Sequence, residues 1–194
     1  QLENISIEYE FIDAIYGKEL SQKYFIDNNI SIDKNFRNPF TDSSITMGEI
    51  GCSLSHYKAW KKAKSDDVQY PIIIEDDAII NNDIKNILEK IFPEINNFDL
   101  LYLGRKTFTK DIKLHKNLGN CSIYEPCFSY WTVGYVLSKN SILKLLNSNF
   151  LSKLIPIDEF LPILYCDDNN SNINNYSIEK FVTYAIEPKL IKPK

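Results

Sequence analysis

Four short apolar runs, each bounded by polar or turn-forming residues, stand out along the chain. Their length and their content of β-branched and aromatic residues predict buried strands. The runs are residues 72–75, 100–103, 131–137 and 181–186. A shorter apolar segment from Phe11 to Ile15 lies between polar segments and predicts an edge strand.

Helical spacing of apolar residues occupies much of the chain between these runs. From Gly48 to about Lys64, apolar and aromatic side chains recur every three or four residues, which predicts a helix packed against a sheet. Asp83 and Ser138 can each cap a further helix. Strands that alternate with helices predict an α/β fold with a largely parallel sheet, whose ligands bind at the carboxyl ends of the strands.

The composition limits the class of protein. With 194 residues, 44% of them hydrophobic and 25% charged, the chain suits one globular domain with a sizeable core. A net charge of −4 without a long basic run argues against a nucleic-acid partner. No apolar stretch approaches the roughly 20 residues of a membrane span. The four cysteines lack C-x-x-C spacing, which argues against a zinc site and favours free thiols.

The end of the first predicted strand carries three consecutive acidic residues, Glu75, Asp76 and Asp77. Their desolvation and mutual repulsion are costly unless a cation lies among them. A divalent metal that holds a phosphate-bearing substrate would explain them, because hard cations prefer carboxylate oxygens. Strand alternation would direct Glu75 and Asp77 to one face and Asp76 away from it. The alternative is a solvated turn that happens to be acidic.

Two further segments carry charged side chains that could do chemistry. Asp158 and Glu159 are flanked by proline, isoleucine and phenylalanine, and partial burial would raise a carboxylate pKa and suit a general base. The alternative is a helix start that Asp158 caps. Arg105 and Lys106 follow the second strand and could contact a phosphate or an acidic acceptor, or form a solvated basic turn.

Aromatic residues and a histidine complete the candidates. Tyr130 and Trp131 could form a platform on which a sugar stacks, although Trp131 at a strand start suits the core equally well. His56 lies on an aromatic helix face and could contact substrate or be a buried structural histidine. The chain has no Walker-type phosphate loop, no G-x-G-x-x-G and no H-E-x-x-H.

Taken in order, these segments resemble glycosyltransferase family 25, and within it the branch that galactosylates hydroxylysine in collagen. The resemblance extends over roughly residues 8–192. The matching segments are residues 48–57 with Trp60, 74–77, 101–106, 129–132, 134–136, 151–153, 156–162 and 187–188. The Gly-Arg-Lys, Tyr-Trp-Thr and Asp-Glu-Phe-Leu-Pro elements favour the collagen branch over the bacterial lipooligosaccharide branch.

The resemblance implies a GT-A fold, UDP-galactose as donor, manganese as metal and transfer to hydroxylysine of a collagen-like polypeptide with inversion. On that basis Asp77 and Glu75 bind the metal, with Asp77 the better candidate, and Asp158 or Glu159 is the base, with Asp158 slightly preferred. The alternatives are a family 25 transferase that acts on lipopolysaccharide or another glycan, and a catalytically silent module that binds a sugar nucleotide or collagen.

The resemblance also implies parts that this sequence does not contain. Family members begin with an Ile-Asn-Leu strand before arginine-rich sequence, and many GT-A enzymes have a metal-binding histidine near the C-terminus. We therefore expect residues 1–194 to be a single glycosyltransferase domain without the first strand and the C-terminal segment. A cellular collagen-type enzyme would work in the endoplasmic reticulum lumen, and a viral one in the host cytoplasm or the virion.

Overall fold

A computed structural model describes Ile5, residues 7–166 and residues 173–194. The helices are α1 (Gln22–Asp27), α2 (Met47–Ser65), α3 (Ile84–Ile91), α4 (Lys139–Asn147) and α5 (Ile157–Ile163). The strands are β1 (Ile72–Ile74), β2 (Ala78–Ile80), β3 (Leu100–Thr107), β4 (Lys113–Asn117), β5 (Ser122–Glu125), β6 (Ser129–Leu137), β7 (Thr183–Glu187) and β8 (Ile191–Pro193). Short 3₁₀ helices cover Gly17–Glu19, Phe92–Glu94, Phe150–Lys153 and Ile173–Asn175.

The described residues form two compact units. The sheet unit contains the described residues up to Phe11, residues 69–141 and residues 181–194, and the helical unit contains the described residues within 12–68 and 142–180. All of β1 to β8 belong to the sheet unit, and α1, α2 and α5 belong to the helical unit. The prediction of a single domain over the whole chain stays a prediction.

The sheet unit confirms the predicted α/β class but corrects the predicted direction of the strands. Its six-stranded sheet has the order β1-β6-β3-β7-β5-β4 and is mixed. Within the described residues, β3 and β7 are the one parallel pair of this sheet, and the other four pairings are antiparallel. The reason is that the chain between β3 and β6 forms the β4–β5 hairpin and contains no helical crossover, so β6 returns antiparallel to β3.

The core of the sheet unit lies between α3 and the sheet. The buried side chains of α3 are Ile84, Ile87, Leu88 and Ile91, at the three-and-four spacing of one helix face. They pack in one cluster with Leu101 and Leu103 of β3 and with Val136 of β6. Each fully buried aliphatic side chain of this kind contributes about 1.5–3 kcal/mol, so the cluster holds α3 on the sheet.

Two glycines allow β8 to lie close to the sheet. A Cβ added to Gly104 would lie 2.2 Å from the carbonyl oxygen of Ile191, and one added to Gly134 would lie 2.4 Å from Ile191 Cδ1. Gly104 and Gly134 are partners in the β3–β6 ladder. Because β8 also pairs with β2, the two glycines fix the strand pair that follows residues 75–77.

The helical unit is organised around α2 and a group of aromatic side chains. Thr46 and Glu49 form a reciprocal capping box at the start of α2. Trp60 of α2 is fully buried, and its ring centroid lies 5.8 Å from that of Phe150. Phe150 in turn lies 4.2 Å from Phe160 of α5. Within the described residues, no helix combines the length and the apolar character that a membrane span requires.

The predicted helices and strands are present in the structure except at the N-terminal segment, but Asp83 lies at the N-cap position of α3 without the side-chain hydrogen bond expected of a cap. The helix predicted from Gly48 is α2, and Ser138 Oγ accepts a hydrogen bond of 3.1 Å from the Ser141 amide, as expected of a cap. The edge strand predicted from Phe11 to Ile15 is wrong, because that segment has no strand pairing. Asp13 interrupts the run and Phe11 is 81% exposed, so no apolar face remains to pack.

Candidate functional site

Residues 75–77, here called the acidic turn, connect β1 to β2 in the sheet unit. Its backbone is held at both ends. The Glu75 amide donates to the Val133 carbonyl of β6 at 3.0 Å, and the Lys194 amide donates to the Asp77 carbonyl at 2.7 Å. The Ala78 amide closes the turn by donating to the Glu75 carbonyl at 3.3 Å. The acidic turn is therefore a fixed structure at the carboxyl end of a sheet strand.

The three side chains of the acidic turn have different environments. Glu75 is partly buried, and Thr132 Oγ1 donates a hydrogen bond of 2.6 Å to its Oε1. Asp76 and Asp77 are exposed, and neither carboxylate bonds another group in the described part of the chain. The oxygens of the three carboxylates do not all lie within 4.8 Å of one another.

This donor set fits a hard divalent cation. Such ions take carboxylate oxygens, and in enzymes that act on phosphates they are commonly bound by one or two carboxylates together with substrate oxygens. Asp77 offers an unengaged carboxylate on a fixed backbone, and Thr132 orients the carboxylate of Glu75. Convergence of all three side chains is therefore not required for binding.

A β-bulge at residues 131–133 of β6 lies next to the acidic turn. Gly104 pairs with Gly134 and Lys106 pairs with Tyr130, so one residue of β3 faces three residues of β6. In this bulge Trp131 has a φ of 65°, which is rare for a bulky residue and costs about 1–3 kcal/mol. Residue 132 of the same bulge carries the hydroxyl that bonds Glu75.

The two predicted cations of β3 have unlike surroundings. Arg105 is 2% exposed, and its guanidinium donates to both carboxylate oxygens of Asp111 at 2.8 and 2.6 Å and to Ser129 Oγ at 3.1 Å. Lys106 Nζ lies over the Trp131 ring, 4.9 Å from its centroid. The phosphate contact predicted for Arg105 stays a prediction, but here its guanidinium bonds protein groups beneath the surface.

The carboxylate pair at residues 158 and 159 lies in the first turn of α5, in the helical unit. The N-cap position is Pro156, so Asp158 is a residue of the helix and does not cap it. The pKa of Glu159 is raised to about 7. Burial of the side chain is the largest cause, and the nearby carboxylates of Asp158 and Glu49 are the further causes. Glu159 can therefore change its protonation near neutral pH, which is the property that a general base needs.

His56 is buried, with 5% of its surface exposed, on α2 in the helical unit. The same helix buries Ser53, whose hydroxyl donates to the Ile155 carbonyl at 3.0 Å, and Trp60. His56 therefore lies inside the helical unit, and its predicted contact with substrate stays a prediction.

Comparison with known proteins supplies the family. The family model described as "Glycosyltransferase family 25 (LPS biosynthesis protein)" matches residues 1–161. The chain belongs to glycosyltransferase family 25. It is 32% identical over 197 residues to procollagen galactosyltransferase 1-B of Xenopus laevis, covering 99% of this chain and 32% of that protein. It is 33% identical over 194 residues to procollagen galactosyltransferase 2 of Homo sapiens, covering 96% of this chain and 31% of that protein.

A relative from Drosophila melanogaster, described as a glycosyltransferase 25 family member, is 33% identical over 196 residues, covering 98% of this chain and 32% of that protein. The chain spans about a third of the length of these curated relatives. The resemblance to family 25 is thus confirmed. The α/β architecture agrees with the GT-A type of fold expected for this family.

Two contacts of the candidate site residues could not be foreseen from the sequence. Thr132 lies 57 residues after Glu75, and nothing in the local pattern indicated that its hydroxyl would bond that carboxylate. Asp111 lies in a polar stretch in which any acidic residue could equally have been solvated. The sequence draws attention to the rings of Tyr130 and Trp131, but the neighbouring Thr132 is the residue that bonds the acidic turn.

Proposed function

We propose that this family 25 chain transfers galactose from UDP-galactose to hydroxylysine in a collagen-like polypeptide, with inversion at the anomeric carbon. The family membership and the names of the procollagen galactosyltransferase relatives support the reaction class and the acceptor. The observation that carries the proposal is the acidic turn, which offers exposed carboxylates on a fixed backbone at the end of a strand.

The acidic turn would bind the donor. Asp77 and Glu75 are the proposed ligands of a manganese ion, Thr132 holds Glu75 in position, and Asp76 contributes negative charge beside them. The bound ion would neutralise the charge that develops on the diphosphate as it leaves. Lys106 is half-buried, and we propose that it contacts a donor phosphate or the acceptor, whereas Arg105 is buried and acts through the loops that it ties together.

The carboxylate pair of α5 would supply the base. In an inverting transfer the acceptor oxygen attacks C1 as the bond from C1 to the diphosphate oxygen breaks, and the acceptor hydroxyl loses its proton to a carboxylate. We propose Glu159 for this role and keep Asp158 as the alternative. The pKa of about 7 makes Glu159 a better match to neutral pH than the sequence alone suggested. The resemblance to family 25 alone slightly favours Asp158.

Tyr130, Trp131 and His56 stay proposed substrate contacts. A lipopolysaccharide or other glycan acceptor is the second candidate function, because the description of the matching family names lipopolysaccharide biosynthesis. The two candidates share the donor chemistry and differ only in the acceptor that receives the sugar.

The test is a donor screen with manganese, carried out with and without a hydroxylysine peptide. We expect UDP release from UDP-galactose that depends on manganese and increases with the peptide, and galactose attached to the peptide by mass spectrometry. UDP-glucose serves as the matched donor that differs at one hydroxyl. Transfer to a lipooligosaccharide and not to the peptide would mean that the acceptor is a glycan and not a collagen-like polypeptide. No turnover of any UDP-sugar with manganese would favour a silent binding module.

A further inference from the structure

An aromatic surface with a cation at its centre adjoins the bulge of β6. The Trp131 surface is defined by the side chains of Lys106, Phe108, Phe128, Tyr130 and Trp131. Lys106 Nζ lies 4.9 Å from the ring centroid of Trp131 and 5.0 Å from that of Phe108. The Tyr130 ring meets Phe108 at 5.6 Å and Phe128 at 5.0 Å. All five residues belong to the sheet unit.

Two of these rings are exposed to solvent, and one of the two is exposed at a conformational cost. Phe108 is 60% exposed and Trp131 is 37% exposed. The positive φ of Trp131 is a backbone conformation that a bulky side chain rarely adopts. A fold gains nothing from straining its backbone to leave a tryptophan half in water. Two exposed rings on either side of one ammonium group, one of them on a strained backbone, therefore indicate a binding surface.

The Trp131 surface rests on a rigid base of buried hydrogen bonds. Arg105 joins the loop after β3, through Asp111, to the start of β6, through Ser129. The Cys127 amide donates to Asp111 Oδ1 at 3.3 Å, and Ser129 Oγ donates to the Cys127 carbonyl at 2.8 Å. The two segments that carry the rings are thus tied together from beneath, which lowers the entropy lost when a ligand binds.

We propose that the Trp131 surface binds the acceptor polypeptide as an extended, proline-rich chain, in the polyproline II conformation. Such a chain has no internal hydrogen bonds, so its carbonyl oxygens are available to the N–H donors of Lys106. Its pyrrolidine rings pack on aromatic side chains, as in other domains that bind proline-rich segments. This inference rests on the proposed function, because it names the part of the protein that binds the acceptor.

The same chemistry argues against a sugar on this surface. A sugar that stacks on an aromatic ring also needs polar partners for the hydroxyls around its own ring, but the rings that meet Tyr130 on this surface are those of Phe108 and Phe128, which offer no hydrogen-bonding group. A chain of imino-acid rings and carbonyl groups matches rings around one ammonium group better than a polyhydroxylated ligand does.

The position of the Trp131 surface suits an acceptor. Trp131 directly precedes Thr132, whose hydroxyl bonds Glu75 of the acidic turn. A polypeptide on the Trp131 surface would therefore pass beside the residues that are proposed to hold the donor diphosphate. Binding at this surface needs neither metal nor donor, so it can be measured apart from catalysis.

The test is a fluorescence titration of the full chain without metal or donor. Of the two tryptophans, Trp60 is fully buried, so a ligand on this surface should change the emission of Trp131. The ligand is a soluble peptide of Gly-Pro-Lys triplets, and the matched ligand is a Gly-Ser-Lys peptide of equal length and charge. A galactose-containing oligosaccharide forms the third arm. We expect saturable binding of the proline peptide only.

Two variants locate the binding. Phe108→Ala and Lys106→Met should each lower the affinity for the proline peptide by about five- to tenfold. Phe40→Ala is the matched control, because Phe40 is 64% exposed but lies in the helical unit, and it should bind as the unmodified chain does. Melting temperatures check that each variant is folded, and Lys106→Met remains informative if Phe108→Ala is unstable.

Several results would overturn this inference. The first is equal affinity for the two peptides. The second is binding of the oligosaccharide that is lost in Phe108→Ala. The third is an unchanged affinity for the proline peptide in both Phe108→Ala and Lys106→Met. Failure of the proposed function is distinguishable from these results. If the chain binds the proline peptide through Phe108 and Lys106 but turns over no UDP-sugar, the binding surface is supported and the proposed enzyme activity is contradicted.

Discussion

The acidic turn and the carboxylate pair of α5 contain the same chemical group in opposite surroundings. Asp77 is exposed on a turn whose backbone is fixed, with no protein partner for its carboxylate in the described residues. Glu159 is half-buried beside two further carboxylates, and its pKa rises to about 7. Side chains of one kind are thereby suited to two tasks, cation binding at the turn and proton transfer at the helix.

This difference teaches that environment, more than residue type, separates the proposed roles. The sequence alone predicts a metal site at the acidic turn and a base at residues 158–159, but it leaves a solvated turn and a capped helix start as alternatives. Their distinct chemistry depends on burial and on neighbours that are distant along the chain, such as Glu49 beside Glu159. The following changes should affect one region and spare the other.

The largest effect is expected from Asp77→Asn in the acidic turn. The change removes a proposed metal ligand, so manganese affinity and transfer should both fall, by roughly a thousandfold. Free manganese is measured by electron paramagnetic resonance during a titration of the protein. Asp42→Asn, another exposed aspartate, is the control and should have no effect. Unaltered manganese affinity in Asp77→Asn would remove the metal role from this residue.

Glu159→Gln should lower transfer by about a hundredfold, because the amide cannot accept the proton of the acceptor hydroxyl. Manganese affinity should not change, in contrast to Asp77→Asn. Glu179→Gln replaces an exposed glutamate of the helical unit and serves as the control. Asp158→Asn is assayed in parallel, and a larger loss there than in Glu159→Gln would transfer the role of base to Asp158.

Thr132→Val should have a smaller effect that is confined to the acidic turn. The change keeps the shape of the side chain but removes the hydroxyl that bonds Glu75. Manganese affinity should fall by about tenfold, the scale usual for groups that orient metal ligands. Thr132→Ser should restore it. If the valine and serine variants bind manganese equally well, the hydroxyl does not orient Glu75 for the metal.

The smallest effect concerns stability. The pKa of Glu159 is raised in the folded chain from 4.5 to about 7, so folding favours its protonated form. The resulting stabilisation is complete below pH 4.5 and is lost as the pH rises through about 7. At alkaline pH, Glu159→Gln should therefore be the more stable protein, by roughly 1 kcal/mol after solvent screening, or about 3 °C in Tm.

Calorimetry of both proteins across this pH range measures the difference. The advantage of Glu159→Gln should disappear below pH 4.5, where both side chains are neutral. An advantage that is the same at acid and alkaline pH would mean that packing, and not the charge of Glu159, causes it.

The parts of the fold that depend on local spacing could be predicted from the sequence. Helices α2 and α3 and strands β1 and β3 follow from the recurrence of apolar residues along a few turns or one strand. The antiparallel return of β6 could not be predicted, because strand direction depends on which strands pair across the sheet. At Phe11 to Ile15 an apolar run had no partner strand, and tertiary structure overrode its propensity.

The candidate site shows the same division between local and distant information. Asp77 and Glu159 were identifiable because apolar neighbours made their charge unusual. Arg105 and Lys106 are equivalent in the sequence. In the structure Arg105 is buried and bonds Asp111 and Ser129, whereas Lys106 lies beside aromatic rings. No local pattern distinguishes two adjacent cations whose partners lie in other segments of the chain.

The pH dependence of transfer tests the division of roles most directly. The kcat/KM for galactose transfer is measured from about pH 5.5 to about pH 8.5 at saturating manganese, with manganese affinity determined at each pH. We expect kcat/KM to fall about tenfold per pH unit below about 7 as Glu159 takes up a proton, with manganese still bound. A rate that stays constant across this range, or one that falls only because manganese dissociates, would contradict the assignment.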